Sequence, residues 1–109
     1  MNPSQTERLL AAYQTFFPTK VIGSYINGEL SPGTGSDISL IDPATGELFL
    51  TYKDAGAEIA EQACDAALAG QRTWAALSHA ERGRLMQEAG RVLRVNIEQL
   101  AQLESLSAG

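Results

Sequence analysis

A single cysteine, Cys64, stands in this chain, so no disulfide can close within it, a pattern that fits a reducing compartment. Basic residues are also few: eight Lys and Arg, scattered, against thirteen Asp and Glu. Phosphate backbones are held by a concentrated Lys/Arg surface, and a net charge of -5 with no such concentration argues against nucleic acid as a partner. No apolar run approaches the roughly 18 residues that a membrane-spanning helix needs, and the first twenty residues lack a basic leader and a continuous apolar stretch. Arg8 is alone there with Glu7 beside it, which argues against a mitochondrial presequence. The expectation is a soluble, cytoplasmic protein with no membrane partner.

What is present is ordinary globular material, 44 % hydrophobic and 19 % charged, which argues against disorder of the whole chain. A compact chain of 109 residues would bury roughly 65 % of its unfolded surface around one modest core. No internal repeat and no internal domain boundary interrupts it.

Periodicity divides the chain into three regions. Residues 4–17 place Leu9, Leu10, Tyr13, Phe16 and Phe17 at helical spacing before Pro18, which predicts a short amphipathic helix. From Val21 the period becomes two, and two reversals are expected, at about 21–31 and 37–53. Asn27-Gly28 suits a type I′ turn. In "IDPATGEL" Asp42 can accept backbone hydrogen bonds, Pro43 presets φ and Gly46 can turn left-handed.

Two helices should follow, at about 56–76 and 79–107. In the first, Ile59, Ala63, Ala67, Gly70 and Trp74 form a stripe of mostly small residues that Ala60, Cys64 and Leu68 widen. Ser78 and Glu81 then make Ser-x-x-Glu, the signature of a capping box. Leu85, Met86, Ala89, Val92, Leu93, Ile97 and Leu100 continue the apolar stripe, which Leu103 and Leu106 carry onward. Gly83 and Gly90 lie on nearly one side, where close approach of a neighbour is the expected reason for them.

Each candidate reactive group has a plainer explanation. Cys64 sits mid-helix among alanines without a base or cation to lower its pKa, and reads as a small packed residue. His79, the only histidine, has no second His and no Cys pair to complete a metal set, and its place in a first helical turn favours the surface. Gly33-Thr34-Gly35 lacks the third glycine and the following helix of a dinucleotide loop. Glu58, Glu61 and Asp65 lie away from the apolar stripe and read as a solvated face. The residues yield no catalytic, cofactor-binding or metal site of their own.

Taken together, "YINGEL" (25–30), "IDPATGEL" (41–48), the Ala-rich helix ending in "TWAAL", "SHAERGRLMQEAGRVL" and the terminal "LAQLESLSAG" resemble, in order and spacing, the N-terminal region of NAD(P)-dependent aldehyde dehydrogenases. The resemblance covers about residues 21–109. It implies an α/β fold: a partial cofactor-binding domain over 21–109, truncated at its C-terminal end, preceded by a variable N-terminal helix within 1–20. Asp42 stands where the family usually has Asn, and Gly56 where Ser or Thr often opens the helix, a change expected to weaken that cap by tenths of a kcal/mol. Ser107 stands where the end block usually has Asp, which puts in doubt the monovalent-cation site that some members build from carbonyls near Ile41 and that Asp.

By the same resemblance, the full-length parent oxidises an aldehyde to a carboxylic acid with NAD or NADP, through a thiohemiacetal on a nucleophilic Cys, and is a homodimer or homotetramer. Its Cys, Glu, oxyanion-hole Asn and cofactor loop fall beyond this chain, and Cys64 does not match the nucleophile's Gly-Gln-x-Cys setting. The chain alone is expected to be inactive, to bind no cofactor, and to have the remainder of the dehydrogenase fold as its partner. The alternative is a standalone helical interaction or regulatory module derived from the same scaffold.

Overall fold

The computed structural model describes residues 4–109. A short helix, α1 (Gln5–Gln14), precedes two antiparallel hairpins, β1 (Gly23–Ile26) with β2 (Glu29–Pro32) and β3 (Asp37–Ile41) with β4 (Leu48–Lys53). Three helices complete the chain: α2 (Gly56–Ala76), α3 (His79–Val95) and α4 (Ile97–Ala108).

Local chemistry explains where these elements start and turn. Ser4 and Glu7 form a capping box on α1, the Glu7 N–H donating to Ser4 Oγ at 3.2 Å and the Ser4 N–H to Glu7 Oε2 at 2.6 Å. Asn27 and Gly28 both take positive φ, 52° and 78°, as the expected type I′ turn demands. At the second reversal the buried Asp42 carboxylate accepts from the Ala44 N–H at 2.9 Å and from Thr45 Oγ1 at 3.0 Å. The Gly46 N–H closes the turn on the Asp42 carbonyl at 2.7 Å, with Gly46 at φ 75°. A register shift at Leu40/Ile41 accommodates the turn.

The core is small and lies at one end. Leu9 and Ala12 of α1 and Phe49 of β4 are buried, and α4 also packs against α1. Ile59 is the only other buried apolar residue among those described, at the start of α2 where it approaches β1. An aromatic chain, Tyr13 to Phe17 to Tyr25 with ring centroids 5.2 and 5.9 Å apart, ties α1 to β1.

The rest extends away from this core. The radius of gyration is 17.0 Å, against about 13 Å for a compact chain of this length. The accessible surface of 8024 Å² likewise exceeds the roughly 5,800 Å² of a folded monomer of this mass. No described helix is long and apolar enough to cross a membrane.

Four sequence expectations need correction. The helix expected over 79–107 breaks at Asn96, whose φ of -104° and ψ of 15° leave the helical region while its Nδ2 donates to the Val92 carbonyl at 2.9 Å. The Val92 carbonyl also accepts the Asn96 backbone N–H at 3.2 Å, so the asparagine folds back on α3 where that helix ends and α4 starts. Gly56 is more than a weak cap. Its φ is 83°, and a Cβ there would sit 2.9 Å from Thr34 Oγ1. Gly83 has nothing within 4 Å of an added Cβ, and Gly90 only the tip of Arg94, so no close neighbour explains either glycine within this chain. Cys64, expected to be packed, is exposed, because no element covers its face of α2.

Candidate functional site

The sequence-derived candidates do not converge. Glu58, Glu61 and Asp65 are exposed along α2, and no group of three His, Cys, Asp or Glu side chains able to hold a metal exists among the described residues. His79 is exposed in the first turn of α3, as expected, with Nδ1 2.7 Å from Arg82 Nη2. The end of α4 does return to the Asp42–Pro43 turn: a Cβ on Gly109 would lie 3.3 Å from Pro43 Cβ. There Ser107 Oγ donates to its own helix, to the Leu103 carbonyl at 2.9 Å.

A dinucleotide does not fit the Gly33–Gly35 loop. The Thr34 and Gly35 N–H groups already donate to the Ala55 and Asp54 carbonyls, at 3.2 and 2.8 Å, and the Asp54 N–H returns to the Ser36 carbonyl at 2.8 Å. A Cβ on Gly33 would fall 2.1 Å from the Asp54 carbonyl oxygen. These glycines therefore let two backbone segments touch, joining the loop to the start of α2, and the Thr34 and Gly35 N–H groups are already committed to that junction.

What the structure does present is an uncovered apolar surface. Leu68 on α2, Met86, Val92, Leu93 and Val95 on α3, and Ile97 at the start of α4 are all exposed, Val95 by 67 % and Leu68 by 64 %. A single exposed leucine is unremarkable; here six large apolar side chains on three consecutive helices are exposed. An ion pair on α3 joins Glu88 and Arg91 by two hydrogen bonds, Nε to Oε2 at 3.0 Å and Nη2 to Oε1 at 2.5 Å. This contact holds the Glu88 carboxyl below its ordinary pKa and raises that of Arg91.

The model of the aldehyde dehydrogenase family matches residues 31–109, from β2 to the end of α4. The chain belongs to the aldehyde dehydrogenase family. Among curated relatives, a betaine aldehyde dehydrogenase of Mesorhizobium japonicum is 37 % identical over 86 residues, 78 % of this chain. The chain spans 18 % of that relative's length. No solved structure matches the chain. The α/β arrangement of four helices and two small antiparallel sheets is consistent with a fragment of an aldehyde dehydrogenase domain.

Two useful features escaped the sequence reading. The capping box of α1 is written plainly as Ser4-Gln5-Thr6-Glu7, the same signature recognised at Ser78. Asn96, flanked by apolar residues within a helical stripe, was the available sign of a break.

Proposed function

We propose that this chain is the N-terminal part of an aldehyde dehydrogenase, in which residues 21–109 belong to the cofactor-binding domain and the helix within 1–20 is a variable addition. In the full-length enzyme, which oxidises an aldehyde to a carboxylic acid with NAD or NADP, these residues act as a covering layer. The reacting groups and the cofactor loop belong to later parts of the protein. On this reading the chain alone neither binds the cofactor nor turns over an aldehyde.

The observation that carries the proposal is the exposed apolar surface along α2, α3 and the start of α4, in a chain whose radius of gyration is 17.0 Å. Folding that leaves this much apolar surface in water forgoes roughly 25 cal/mol for each Å² that a neighbour could cover. A family domain of which this chain is one layer supplies that neighbour. The small residues of the α2 stripe and the open surroundings of Gly70 and Gly83 suit a body that approaches closely.

Sequencing the coding region downstream of Gly109 tests the assignment. An open frame that continues into a Gly-rich cofactor loop and a nucleophilic Cys is the expected result; a stop codon at that point favours a standalone module. Titration of the isolated chain with NAD and NADP should give no saturable binding, and micromolar affinity for either would contradict the placing of the cofactor site elsewhere.

A further inference from the structure

We infer that α1 is a strap: a separately capped helix docked in a groove between β4 and α4, which holds those two elements together and which an equivalent helix supplied in trans can replace. The groove belongs to residues 31–109, the segment that the family model matches, whereas α1 lies outside it. Yet α1 supplies two of the four buried apolar residues among those described, Leu9 and Ala12.

The helix caps itself and is fastened near both ends. Ser4 and Glu7 form its capping box, and at the finish Thr15 Oγ1 donates to the Ala11 carbonyl at 3.2 Å. Near the start Thr6 Oγ1 donates to the Phe49 carbonyl of β4 at 2.7 Å, and near the finish the Tyr13 hydroxyl donates to the Val21 carbonyl at 2.8 Å. The other wall of the groove is α4. It carries Leu100, Leu103 and Leu106 half-buried at a spacing of three, and α1 is its main packing neighbour.

Helix length makes the dependence mutual. With 10 residues in α1 and 12 in α4, both have lengths at which an isolated helix is marginal in water, so each draws its stability from packing. The longer α2 and α3, of 21 and 17 residues, do not lean on α1. Release of the strap should therefore loosen β4 and melt α4 while leaving α2 and α3 as they are. This inference goes beyond the family assignment, which its failure would leave standing.

Hydrogen exchange read by mass spectrometry on the full chain tests it, with Leu9→Glu as the variant, because a charge at that buried contact is costly while glutamate keeps helix propensity. In Leu9→Glu the amides of β4 and α4 should lose protection together, with those of α2 and α3 exchanging as in the parent chain. A synthetic peptide of residues 4–20, added in excess, should restore the protection of β4 and α4, and the same peptide carrying Leu9→Glu should not. Parent-like protection of α4 in the variant, a loss that spreads equally to α2 and α3, or no rescue by the parent peptide would each overturn the strap.

Discussion

Thr6 on α1 donates its hydroxyl hydrogen to the Phe49 carbonyl on β4 at 2.7 Å, tying two residues 43 positions apart across the core that holds Leu9, Ala12 and Phe49. The Phe49 side chain is itself 4 % exposed and sits with Leu9 and Ala12. Phe49→Ala should therefore remove ~3–5 kcal/mol, enough to unfold the part of the chain that holds this core. Thr6→Val, which removes only the hydrogen bond, should cost ~1 kcal/mol. Thermal melts of both variants by circular dichroism check the order; equal effects would show that the core does not depend on Phe49.

The Asp42 turn separates acceptor loss from charge loss. Asp42 is 3 % exposed and its carboxylate holds the Ala44 N–H and the Thr45 hydroxyl. Asp42→Ala leaves those donors without their partner and should destabilise by ~1–3 kcal/mol. Asp42→Asn keeps an amide oxygen for the Ala44 N–H and should cost well under half as much in the same denaturant titration.

The glycines should split by sign. A Cβ at Gly33 meets the Asp54 carbonyl oxygen at 2.1 Å, so Gly33→Ala should unseat the loop and lower the melting temperature. Gly83 has open space and no positive φ, so Gly83→Ala should stabilise the isolated chain by ~1 kcal/mol through helix propensity. The same Gly83→Ala should impair assembly of the full-length protein if that face meets a close neighbour, as activity and gel filtration would show.

The pH response follows from two side chains. Tyr13, whose pKa is raised by burial and whose hydroxyl donates to the Val21 carbonyl at 2.8 Å, favours folding fully below the ordinary phenol pKa of about 10. That contribution is lost as pH rises through the higher folded value. Glu88, lowered by its hydrogen bond to Arg91, acts in the opposite direction: its contribution is present above the ordinary glutamate range and fades as pH falls. Because the Glu88–Arg91 pair is exposed, Glu88→Gln should leave the acid melting profile almost unchanged, whereas Tyr13→Phe should flatten the alkaline limb.

Turns and caps were the most legible parts of the chain, because their chemistry is local. Asn27-Gly28, Asp42 with Gly46, and Ser78 with Glu81 each act within a few residues and appear as read. The break at Asn96 was missed because the apolar stripe from Leu85 to Leu106 runs through it, and periodicity alone does not register a side chain that bonds back to Val92. The burial of Cys64 and the reason for Gly83 were misjudged because both depend on what covers their own faces of α2 and α3, and no described element covers those faces. Of the residues weighed as a site, Glu61, Cys64 and Asp65 share one exposed face of α2, and His79 lies on α3.

The most direct test of the account is the behaviour of the isolated chain in water, followed by sedimentation velocity together with binding of an apolar fluorescent dye. A layer built to lie against a larger body should self-associate or bind the dye strongly and melt over a broad range. A monodisperse, dye-silent monomer with one sharp transition would contradict it.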